Sequence, residues 1–78
     1  MKILGYLDKS RYGNDCYINE SYSLCECFEI YFILKVWKVS SGWADDEEIY
    51  TVTDPSDNIN VVMKKWEELG GMPIEAVD

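Results

Sequence analysis

The run from residue 24 to residue 39, Leu-Cys-Glu-Cys-Phe-Glu-Ile-Tyr-Phe-Ile-Leu-Lys-Val-Trp-Lys-Val, constrains the fold more than any other stretch of this chain. It is dense in β-branched and aromatic residues, whose side chains suit a pleated surface better than a helix. Read as one strand, its even positions Leu24, Phe28, Ile30, Phe32, Leu34 and Val36 form an apolar face interrupted by Glu26. The odd positions, from Cys25 through Ile33 and Lys35 to Trp37 and Val39, form a mixed face. Sixteen residues exceed an ordinary strand, so the reading expects a bend or bulge within the run. A helix is the main competing assignment.

The rest of the chain supplies shorter signals. Residues 2–7 read as a first strand, and residues 8–23 as a long loop with at most a brief edge strand. Ser40-Ser41-Gly42 begins a turn that Trp43 to Glu47 extends, and residues 48–53 form the next strand, antiparallel to the long one. Asp54 is a good helix N-cap, with Pro55 at the first helical position and Asp57 near the positive end of the dipole. Ile59, Val62, Met63, Trp66 and Leu69 recur at helical spacing, and Gly70-Gly71 ends the helix. Residues 72–77 read as a last strand, kept at an edge or at its own start by Pro73. The expected fold is a single α+β domain over residues 1–78. It has two layers: a three- to four-stranded, mainly antiparallel sheet in the order β-β-β-α-β, and one amphipathic helix on one face. A chain of 78 residues buries only roughly 60% of its unfolded surface, and six Tyr, three Trp and two Phe offset its small core.

Charge is distributed unevenly. Residues 1–38 carry five acids and five bases, whereas residues 39–78 carry ten acids against Lys64 and Lys65, which accounts for the net charge of −8. Direct nucleic-acid binding needs the opposite sign, because Lys and Arg must displace counterions from phosphates. A basic protein or nucleoprotein complex is the expected partner. Cys16, Cys25 and Cys27 are an odd set for a disulfide scaffold, and no secretory leader or membrane-length apolar run is evident. The expectation is a cytoplasmic protein, monomeric or homodimeric, that touches no membrane.

The chemistry-bearing residues are sparse. Cys25-x-Cys27 places two sulfurs on one strand face, but the chain has no histidine and only Cys16 as a third thiol, so structural thiols are expected rather than a metal site. Without histidine the commonest general base is missing. The acids lack the spacing of a calcium loop, and no phosphate-cradling glycine loop or nucleophile elbow occurs. The expectation is no enzyme, no catalytic residue, no cofactor and no metal.

Trp43-Ala44-Asp45-Asp46-Glu47-Glu48 is the most suggestive segment. Its bland interpretation is a solubilising hairpin connection that discourages edge pairing. Its functional interpretation is a partner-binding surface made of Asp45, Asp46, Glu47 and Glu48, with Trp43 as an aromatic anchor. Trp37 and Trp66, on patterned elements, are expected in the core. In size, acidity, missing catalytic groups and free cysteines, the chain resembles the small acidic inhibitors that bacteriophages encode against host defence, of the anti-CRISPR and anti-restriction type. That resemblance implies a protein that blocks a basic nucleic-acid-handling complex by occluding or mimicking its nucleic-acid site. Alternatives are an immunity protein or antitoxin against a basic toxin, and a structural domain that assembles through a strand edge.

Overall fold

A computed structural model describes residues 1–42 and 45–72. The chain folds as an antiparallel sheet of five strands followed by one short helix, an α+β arrangement. The strands are β1 (Lys2–Asp8), β2 (Arg11–Gly13), β3 (Cys16–Cys27), β4 (Ile30–Ser41) and β5 (Asp45–Thr51), and the helix is α1 (Ile59–Glu68). The sheet order is β1-β3-β4-β5, and β2 pairs with the far end of β3 beside β1. Among the described residues five strands, not three or four, precede the helix. The last strand expected at residues 72–77 lies almost wholly outside the described residues.

The run 24–39 is not one bent strand. It is the end of β3, a tight turn, and most of β4. Cys27 pairs with Ile30, leaving Phe28 and Glu29 as a two-residue loop. Both loop residues have positive φ, 51° and 64°, the pattern of a type I′ turn. That turn type matches the twist of the flanking strands, but it normally recruits Asn-Gly or Asp-Gly because other side chains are strained at positive φ. From the turn, twelve consecutive pairs run without a bulge to Cys16–Ser41. Residues 8–23, expected as a loop, are mostly strand: Asp8 closes β1, β2 follows, and β3 begins at Cys16.

This register sorts the side chains differently from the single-strand reading. Leu24 lies opposite Ile33 and Tyr22 opposite Lys35, so even positions of β3 share a face with odd positions of β4. On that face Tyr22, Leu24 and Ile33 are buried with Val62 and Trp66 of α1, and Leu4, Leu7, Tyr31 and Val52 pack around them. The core therefore takes Ile33 from the expected mixed face, while Phe32, Leu34 and Val36 point to the opposite side. Leu4 reaches the core through an irregularity in β1, where pairing shifts between Ile3–Cys25 and Gly5–Leu24.

The helix starts four residues later than Asp54 would place it. Asn58 is the N-cap, its side-chain oxygen accepting from the Asn60 N–H at 3.0 Å. Residues before it are held elsewhere: Ser56 and Tyr31 exchange both backbone hydrogen bonds, at 2.7 and 2.9 Å, stitching Ser56 to the start of β4. At the other end, Leu69 is the C-cap and Gly70 takes φ 98°, the left-handed stop. The chain then folds against Trp66. The Gly71 N–H donates to Trp66 O at 2.9 Å, the indole N–H donates to Met72 O at 3.0 Å, and a Cβ at Gly71 would run into the indole ring.

Ten helical residues span about 15 Å, whereas twelve strand residues span about 40 Å. α1 therefore covers one end of one sheet face. The other end of that face and the whole opposite face have no covering element among the described residues.

Two outcomes follow from this packing. Trp66→Ala removes the largest fully buried side chain and the Met72 hydrogen bond, so chemical denaturation should register a loss of about 3–5 kcal/mol. Replacing Phe28-Glu29 by Asn-Gly should instead stabilise by about 1 kcal/mol, raising the melting temperature by roughly 4–8 °C, because Phe28 is 96% exposed and contributes only strain. A lowered melting temperature in that variant would show that the turn does not hold this conformation.

Candidate partner-binding face

Where α1 stops, the core face continues as an open patch built by three adjacent strands. Rows across the sheet follow from the register: Tyr22–Lys35–Tyr50, then Glu20–Trp37–Glu48, then Ile18–Val39–Asp46. Trp37 sits at the centre of this patch. It is half-buried and does not belong to the core cluster, contrary to the expectation from the sequence.

Cations and rings alternate on the inner side of the patch. Lys35 Nζ lies 5.4 Å from the Tyr22 ring centroid, 5.6 Å from that of Trp37 and 5.6 Å from that of Tyr50. Arg11, arriving on β2, stacks over Trp37 at 5.7 Å and donates to Glu20 Oε1 at 2.8 Å. The other Glu20 oxygen accepts from the Tyr22 hydroxyl at 2.6 Å. These contacts hold the Trp37 ring from one side and keep its surroundings ordered. The hydrogen bond from Tyr22, followed by that from Arg11, lowers the Glu20 pKa below its ordinary value. Burial, and then the bond to Glu20, raises that of Tyr22. Lys35 is raised chiefly by its hydrogen bond with Tyr50.

The acidic quartet forms the outer side. Asp45, Asp46, Glu47 and Glu48 are not a hairpin connection. They are the first four residues of β5, a strand that pairs with β4 and has no second neighbour among the described residues. All four are exposed. Strand alternation divides them, with Asp46 and Glu48 on the Trp37 face and Asp45 and Glu47 on the other. This division separates like charges that a loop could crowd together. Trp37, Val39, Asp46, Glu47 and Glu48 line an open groove of ≈ 430 Å³. Trp43, the expected anchor, lies outside the described residues. Trp37 is the aromatic residue that the described structure brings to the quartet. Its signal in the sequence was its two-residue spacing from Lys35, together with the pairing partners Glu20 and Glu48, which become visible once the turn is located at Phe28-Glu29.

The cysteines do not gather. Cys16 shares a face with Ile18, whereas Cys25 and Cys27 lie on the opposite face, and Cys25 is buried, which raises its thiol pKa. All three are free, and no group of three His, Cys, Asp or Glu side chains among the described residues is arranged to hold a metal ion. No described helix is long and apolar enough to cross a membrane.

Glu20 provides a pH signature of this patch. Its folded pKa lies below its ordinary value of 4.5, so its stabilisation is present above that value and is lost as pH falls through the folded one. Thermal melts of the parent and Glu20→Gln should therefore differ at neutral pH and converge as pH falls below the carboxylate range. A difference that persists in acid would show that Glu20 acts only through packing.

No family model, no curated protein and no solved structure matches this chain.

Proposed function

We propose that this chain is a small protein-binding inhibitor that acts on a basic nucleic-acid-handling protein or nucleoprotein complex by occupying its nucleic-acid site. The observation that carries this reading is the acidic quartet on β5, the edge strand of the described sheet, exposed along its length and adjoining the Trp37 groove. An extended strand advances about 3.4 Å per residue, and one strand of B-DNA advances about 3.4 Å per phosphate. On β5 alternate carboxylates leave opposite faces, so Asp46 and Glu48 recur about 7 Å apart beside Trp37, and Asp45 and Glu47 do the same on the other face. A groove that tracks phosphates with Lys and Arg meets in this edge regularly spaced carboxylates of matching sign.

Affinity in this reading divides between two kinds of contact. The carboxylates lie at the rim, steer encounter and are screened by salt within about 8–10 Å. Trp37, with Trp43 beside the quartet in sequence, supplies aromatic area for a more persistent contact. The host defence machinery suggested by the chain's acidic, motif-free profile is the target class. An immunity role against a basic toxin would use the same edge.

The test is binding kinetics against the partner recovered from host lysate, at low and high salt. Reversal of Asp45, Asp46, Glu47 and Glu48 to Lys should slow association much more than it speeds dissociation, and added salt should weaken the parent. Trp43→Ala should chiefly raise the off-rate. Nucleic acid should compete with the inhibitor for the partner. If the reversed quartet binds normally, β5 is a solvated edge that only protects against aggregation, and the proposal fails.

A further inference from the structure

The face opposite α1 carries the even-numbered β4 residues, and nothing among the described residues covers it. Phe32, Leu34 and Val36 form a ridge along β4, with Ile49 beside it on β5. Their β3 partners are small: Cys25 opposite Phe32, Ser23 opposite Leu34 and Ser21 opposite Val36. Beyond that low lane, β1 raises a second wall with Ile3 and Tyr6, paired to Cys25 and Ser23. Cys25 and Ser21 are buried with no layer above them among the described residues, between taller neighbours on either side. Ile3, Tyr6 and Ile49 stand in solvent, 59%, 62% and 56% exposed, while Phe32, Leu34 and Val36 are half-buried.

Here we infer that this face is the interface of a symmetric dimer in which two sheets pack as a sandwich. Two observations select a second copy as the occupant. The ridge and the lane lie on adjacent strands of the same face. A two-fold axis parallel to the strands, placed between β3 and β4, therefore sets each ridge into the other copy's lane, as an isologous contact requires. Between Glu29 and Lys38 the ridge and lane themselves carry no charge, and the acids that share this face, Asp8 on β1 and Asp45 and Glu47 on β5, stand on the flanking strands at its margins. The interface leaves Asp46 and Glu48 on the outer face and Asp45 and Glu47 at its rim, so each dimer offers two acidic edges.

The inference does not depend on the proposed inhibitor role, and the experiment separates the two. Sedimentation equilibrium of the full chain over a wide micromolar range should return twice 9.1 kDa, with little change when salt is raised. Leu34→Glu, a charge set into the lane, should weaken association by at least ~100-fold. Ile49→Lys, at an exposed edge position where folding tolerates charge, should also return the chain to 9.1 kDa. Near-ultraviolet circular dichroism and the thermal melt report whether each variant is folded, and Ile49→Lys decides the matter if Leu34→Glu is not. Maleimide should label Cys27, on this face, more slowly in the parent than in Ile49→Lys, while Cys16, on the other face, reacts equally in both. A parent chain that stays at 9.1 kDa throughout the range overturns the inference. So does a dimer that survives Ile49→Lys but is lost on reversing Asp46 and Glu48, since that dimer pairs through β5.

Discussion

The pairing of β3 with β4 is the constraint on which the rest of the molecule depends. Twelve uninterrupted residue pairs fix which side chains share a face, and every later feature inherits that assignment. A slip of one residue would turn Ile33 away from Leu24 and bring Phe32 or Leu34 beneath the helix. The short strands and α1 then add to an existing frame. β1 and β2 extend it along one edge of β3, β5 along the free edge of β4, and α1 docks where Leu24 and Ile33 meet.

Length mismatch shapes what the frame leaves open. Strands of twelve residues are more than twice as long as a helix of ten, so one helix cannot provide a complete second layer. The consequences differ on the two faces. On the helix side, the uncovered end is polar and aromatic, with Tyr22 and Arg11 donating to Glu20 and Lys35 set against the rings of Tyr22, Trp37 and Tyr50. On the far side the stretch around Phe32, Leu34, Val36 and Ile49 is apolar, and small residues on β3 beside large ones on β4 give it relief. A polar, ordered patch suits a partner that arrives and leaves. A furrowed apolar face suits a permanent neighbour.

The sequence was legible where local signals and tertiary packing agreed. β1, the glycine stop after α1 and the burial of Trp66 are such places. It was misleading at the turn, because Phe28 and Glu29 hold positive φ without the Gly or Asn that usually marks it, and two strands then looked like one. That single omission moved the apolar face, hid the strand character of residues 16–23 and put Trp37 in the core. The helix start failed for a different reason: Asp54-Pro55 is a strong cap signal, but pairing between Ser56 and Tyr31 holds that segment to the sheet and leaves Asn58 to cap. The quartet was misread because four successive acids have low strand propensity. Pairing of Asp46 with Val39 and Glu48 with Trp37 overrides it on a free edge where carboxylates stay hydrated.

Register between β3 and β4 is the claim that supports the faces, the groove and the furrow alike. Nuclear Overhauser contacts between backbone protons across the hairpin measure it directly. The account predicts cross-strand contacts joining Leu24 to Ile33, Tyr22 to Lys35 and Glu20 to Trp37. Contacts joining Leu24 to Phe32 or Leu34 as its direct partner, or sequential helical contacts through residues 24–39, would contradict it.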